Sequence, residues 1–202
     1  MSDRDPATGD ARTGPQRPVV LIGPMAAGKS FLARHMSTTY GYDFVDADQV
    51  IVSRHGVISE IFAQHGEEYF RDLEADVVAE LLGDPDHAHG IVSVGGGAPM
   101  IPSVRELLRH ELVAYLEVDA ATVLPRISGN RTRPMLRPDP ARRWQELLDA
   151  RRACYEELAD ITLDGTRDRP VAELGADLEA QITRLRSRPP GSAPDHPQEA
   201  QA

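Results

Sequence analysis

Residues 23–30 read GPMAAGKS, and Lys29 within them is the only lysine of a 202-residue chain that holds 22 Lys and Arg. The octapeptide fits G-x-x-x-x-G-K-[ST]. An apolar run, VVLI (19–22), precedes it, and a helix-length segment follows from residue 29. A glycine-rich turn in that context points backbone N–H groups at a phosphate chain, and the helix dipole adds positive charge at the same place. Lys29 reaches the outer phosphates as a compact charge, and Ser30 offers its hydroxyl to Mg²⁺. The wide, rigid fork of arginine does not fit beneath such a loop. A chain that uses arginine almost everywhere therefore keeps lysine where arginine cannot serve. The plain alternative is an ordinary glycine turn, and the full pattern in its strand-to-helix setting weighs against it. Guanine-specific GTPases read their base through an Asn-Lys-x-Asp segment. With no second lysine that segment is absent, so a nucleoside triphosphate is implied and ATP is favoured over GTP.

Outward from this loop, short apolar runs alternate with amphipathic stretches. The strand candidates are VVLI (19–22), DFVD (43–46), IVSV (91–94), LVAYLEV (112–118) and ITL (161–163). They are almost continuously apolar, as strands covered on both faces must be. Helices are expected over 29–39, 59–65, 67–82, 103–110, 120–128, 140–159 and 170–187. Ser103 and Glu106 have capping-box spacing, and Pro170 suits a first helical position. The alternation predicts an α/β fold: a five-stranded parallel sheet between two helical layers.

Residues 1–17 and 187–202 are rich in Pro, Gly and polar residues without periodicity and are expected to be a disordered leader and tail, leaving 18–186 as one domain. Segment 129–140, GNRTRPMLRPDP, carries three arginines and three prolines and reads as a mobile cationic lid. The formal net charge of −10 argues against bulk nucleic-acid binding but leaves room for a local arginine-lined pocket. No run of about 20 apolar residues would span a bilayer, and the N-terminus lacks the apolar core of a secretory signal. One cysteine, Cys154, allows no internal disulfide. A monomer in the cytoplasm is expected.

The remaining chemistry gathers behind the strands. Asp46 and Asp48 would share a side of extended chain, one suited to orienting metal-bound water and the other to a substrate hydroxyl; a pair of solvated acids is the alternative. Gly95, Gly96 and Gly97 follow the third strand and allow close backbone approach or a turn with positive φ. Arg71 and Glu74 lie three apart on one helix, where Glu74 can hold the guanidinium. Arg151 and Tyr155 lie four apart on another. His87 and His89 sit in a polar loop with no third ligand nearby, and Cys154 reads as a packing residue.

The constellation GPMAAGKS, FVDAD, FRDLE, SVGGG, RTRPML and RRACYEELAD, in this order over about residues 18–186, resembles the shikimate kinase family. The resemblance implies a P-loop kinase fold of the nucleoside-monophosphate-kinase type and ATP-dependent phosphorylation of the 3-hydroxyl of shikimate, on the route to aromatic amino acids. It implies ATP binding by Gly23, Pro24, Met25, Ala26, Ala27, Gly28, Lys29, Ser30 and Phe31, with Arg126 and Pro170 flanking the adenine. Ser30 and Asp46 stand on the magnesium side. Asp48, Arg71, Gly95, Gly96, Gly97 and Arg151 line the acceptor site, and Arg133 of the lid closes over the transferring phosphate. Lys29, Asp48 and Arg133 carry the catalytic roles. Ala26 stands where the family usually has glycine, and Phe31 where threonine is common. Other readings remain: a kinase of the same fold acting on gluconate or another hydroxy acid, or a nucleotide-binding regulator without catalysis.

Overall fold

The computed structural model describes residues 17–127 and 139–187. Five strands, β1 (Val19–Ile22), β2 (Phe44–Asp46), β3 (Ile91–Ser93), β4 (Leu112–Glu117) and β5 (Ile161–Asp164), form one parallel sheet in the order β2-β3-β1-β4-β5. Every residue of β1 is fully buried, because its neighbours pair on both edges and helices cover both faces. The register sets Val20 beside Val92 and Val113, and Asp46 beside Ser93. The chain crosses from one side of β1 to the other after β3, so the carboxyl ends of β1, β2 and β3 open on a common crevice.

The helices are α1 (Lys29–Tyr40), α2 (Ala47–His55), α3 (Ile58–Gly83), α4 (Pro102–Leu108), α5 (Ala120–Ile127), α6 (Pro140–Leu158) and α7 (Val171–Arg186). The expected strands and helices stand within a few residues of where the pattern puts them, with four corrections. α2 fills a stretch with no expected element; its β-branched run Val50-Ile51-Val52 hides the helical signal. Asp46 is extended (φ −115°, ψ 116°) and caps α2 through the Gln49 N–H, so Asp48 lies in the first helical turn rather than on the same side of a strand. No capping box forms at α4: Pro102 takes the first helical position and Ile101 the cap, which places Ser103 inside the helix. Pro170 caps α7 one residue before its first turn. The break expected between 65 and 67 is Gly66 (φ 85°, ψ 179°), which divides α3 into two helical halves.

Most of the lid segment, including Arg133, lies outside the described residues, as do 1–16 and 188–202 of the leader and tail. Asp139 and Pro140, at the lid's far end, are the cap and first residue of α6.

Candidate active site

The crevice is a cleft of about 950 Å³ lined by the loop after β1, the ends of β2 and β3, α3, and the residues before α7. Of the residues expected at the site, Met25 to Phe31, Asp46, Asp48, Arg71, Gly95, Gly96, Gly97, Arg126, Arg151 and Pro170 all line it. Gly23 and Pro24 stand behind the loop as acceptors: the buried Lys29 ammonium donates to Gly23 O at 2.9 Å and Pro24 O at 3.2 Å. Gly23 (φ 139°) leaves no room for a side chain, since a Cβ would meet Leu116 O at 2.7 Å. Ala26 has φ 61°, the left-handed conformation that its Cβ disfavours. Phe31, in the first turn of α1, is 66% exposed at the mouth of the cleft.

Arg126 of α5 is tied to the phosphate loop. Its guanidinium donates to Ala26 O at 3.2 Å and Ala27 O at 3.0 Å and pairs with Asp168, just before Arg169 and Pro170. The loop is thereby joined to the segment that carries Pro170, as a nucleotide spanning the two would need. Ser30 donates its hydroxyl to the Asp46 carboxylate. Two oxygen donors facing each other suit a hard cation such as Mg²⁺. Among the described residues no group of three or more His, Cys, Asp or Glu could hold a metal by itself. A magnesium ion here would draw its other ligands from phosphates and water, as Mg²⁺ does in phosphoryl-transfer sites.

On the side of the cleft where the sequence leads one to expect the acceptor, Gly95, Gly96 and Gly97 matter for close approach, and none of them has a positive φ. A Cβ on Gly95 would stand 2.2 Å from Glu74 Oε1 and 2.9 Å from Asp48 Oδ1. On Gly97 it would stand 2.3 Å from the Arg71 guanidinium, and on Gly96 it would stand 3.1 Å from Met25 N and 3.2 Å from Gly23 O. The glycine turn therefore lets both carboxylates and the guanidinium close in, and it rests directly on the phosphate loop. Arg71 donates to Glu74 at 2.6 Å and to Glu67 at 3.0 Å. Burial works against the guanidinium's charge, yet Glu74 and Glu67 hold its pKa above the ordinary value. Glu74, 1% exposed, is pushed above the usual carboxylate range by burial and by the charge of Asp48, with Arg71 and Arg151 pulling it back.

Arg151 donates to Gly96 O at 3.2 Å, and the Tyr155 hydroxyl donates to the same carbonyl. Tyr155 is fully buried against the Tyr115 ring, with centroids 5.3 Å apart, and burial pushes its phenol up to about 12. It is a neutral donor that fixes the glycine turn. His87 and His89 do not line the cleft. Cys154 donates its thiol to Pro99 O, and burial raises its pKa, which suits a packing residue.

Sequence reasoning passed over the apolar wall of Ile58, Phe62 and Phe70, the Arg126–Asp168 pair, and Trp144, whose indole N–H donates to Met25 O at 3.0 Å. Asp168 lies two residues before Pro170, which the sequence marks, but Trp144 is 119 residues from Met25 and carries no local signal.

The chain is similar to known proteins along most of its length. A sequence model described as shikimate kinase matches residues 25–186. The chain is 40% identical over 166 residues to the shikimate kinase of Corynebacterium efficiens, a match that covers 80% of this chain and 96% of that protein. It is 41% identical over 168 residues to the shikimate kinase of Mycobacterium avium, covering 82% and 92%. Among solved structures, the shikimate kinase from Acinetobacter baumannii in complex with shikimate superposes with a TM-score of 0.79 at 29% identity, over 88% of this chain and 97% of that one.

Proposed function

The chain belongs to the shikimate kinase family and has that family's ATP-using kinase activity, and on that premise we propose that it transfers the terminal phosphate of ATP to the 3-hydroxyl of shikimate within this cleft. The observation that carries the reading is the contact of two loops: the glycine turn, against which Asp48, Glu74 and Arg71 close, packs on the phosphate loop with no side chain between them. Phosphoryl transfer asks the protein mainly to align the two oxygens and cancel charge, and such contact provides the alignment.

The amides from Ala26 to Ser30 and the Lys29 ammonium hold the triphosphate, with its adenine between Arg126 and Pro170. Ser30 and Asp46 hold Mg²⁺, which when bound neutralises phosphate oxygens. Arg71 and Arg151 grip the carboxylate of shikimate in the planar, forked manner that lysine cannot match. Asp48 accepts hydrogen bonds from the substrate hydroxyls and draws the proton from the attacking one. Glu74 keeps Arg71 aimed, and Gly95, Gly96 and Gly97 keep the floor open. Arg133, outside the described residues, is assigned to the transferring phosphate by its motif alone. A site assembled within one chain supports a working monomer. The cytoplasm suits an enzyme whose substrates are small and water-soluble; no helix among the described residues is long and apolar enough to cross a membrane.

Arg71→Ala and Arg151→Ala test the acceptor assignment. Each is expected to raise the KM for shikimate by roughly tenfold or more, the loss of a charged hydrogen bond, with a much smaller effect on the KM for ATP. Unchanged shikimate affinity in both would remove these residues from the acceptor site.

A further inference from the structure

We propose that Trp144, the only tryptophan of the chain, is a positioning residue for ATP: it holds the phosphate loop in a turn that the loop's own sequence disfavours. The inference rests on the reading of residues 23–30 as the ATP loop. Ala27 N donates to Pro24 O at 3.3 Å, which closes a four-residue turn with Met25 and Ala26 at its centre. Ala26 has φ 61°, and Met25 is not among the residues with positive φ, so the turn is of type II. Type II turns favour glycine at their third position because a Cβ there is strained. Alanine favours the type I turn, reached by flipping the Met25–Ala26 peptide so that Ala26 takes a negative φ.

Trp144 opposes that flip. Its indole, 1% exposed, donates to Met25 O, the carbonyl at the centre of the flipping peptide. Reversing the peptide would leave a buried N–H without its acceptor, which is costly. Because the peptide is planar and trans, a Met25 carbonyl turned toward Trp144 holds the Ala26 N–H on the opposite side. The neighbouring carbonyls are held in the same way: Gly23 and Pro24 by Lys29, Ala26 and Ala27 by Arg126, and Gly28 by Leu32 N. Trp144 does not line the cleft, so it acts through the loop and not on the nucleotide. It rises from α6, the helix whose Arg151 and Tyr155 hold Gly96 O.

The test is steady-state ADP release, titrating ATP and shikimate separately, on the parent, Trp144→Phe, Ala26→Gly and the double variant. Since the chain has one tryptophan, its replacement by the benzothiophene isostere removes the N–H while keeping the ring volume, and this serves should Trp144→Phe fold poorly. Either change is expected to raise the KM for ATP roughly fivefold, the worth of one hydrogen bond, while the KM for shikimate stays near the parent value. In the Ala26→Gly background the same changes are expected to have little effect, since glycine takes positive φ without help. An unchanged KM for ATP, an equal rise with Ala26→Gly present, or parallel rises in both KM values would overturn the proposal. Lys29→Met in the same assay separates the two readings. If it acts like the parent, the ATP-loop assignment fails; if it is inactive while the Trp144 changes are silent, only the role of Trp144 fails.

Discussion

Glu74 lines the cleft at a cost to the fold. It is buried beside Asp48, and its one compensation is the cationic side, chiefly Arg71 at 2.6 Å. A carboxyl whose pKa is raised on folding binds its proton more tightly folded than unfolded. Between the ordinary carboxylate range and the raised value, stability therefore falls as pH rises. Glu74→Gln abolishes this contribution. The difference in unfolding free energy, parent minus variant, is expected to decline in denaturant titrations as pH rises above the ordinary carboxylate range, about pH 4. A difference that grows with pH would contradict the burial-dominated shift. Residues of this kind are half legible in sequence. Lys29 announces itself because its whole context is contiguous, and the Arg71–Glu74 spacing is readable from one helix. The three glycines left two explanations open, close approach or positive φ, and only the neighbours brought by α3 decide for the first.

Among the elements, α3 owes its shape to Gly66. At φ 85° and ψ 179° this residue occupies a region open almost only to glycine, and a Cβ there would meet nothing within 4 Å. Gly66→Ala therefore measures backbone strain without a clash. It is expected to destabilise the fold by about 1–3 kcal/mol, read as a lower denaturant midpoint at unchanged slope. No change in midpoint would mean that the helix does not break there. The break was legible as a glycine between two amphipathic runs. α2 was not: its β-branched centre mimics a strand edge, and its helical state depends on Asp46 as cap and on packing against α3. α6 was legible in extent but not in purpose. Its links to Met25 and Gly96 span 119, 55 and 59 residues, and no local pattern encodes such distances.

At the scale of the whole molecule, the parallel sheet was readable from the apolar runs of its inner strands β3, β1 and β4, while the edge strand β5 alternates buried and exposed residues, and the strand order follows from pairing between distant segments. That order brings the loops after β1, β2 and β3 to one edge, so the residues proposed for the triphosphate and those proposed for the acceptor line one cleft. The most direct measurement is coupled ADP release with ATP and Mg²⁺, offering shikimate, quinate, gluconate and AMP as separate acceptors and locating the phosphate on the product by NMR. The expected result is saturable turnover with shikimate alone and phosphate on its 3-hydroxyl. Comparable turnover with another acceptor, phosphate at another hydroxyl, or tight ATP binding with no turnover would contradict the account.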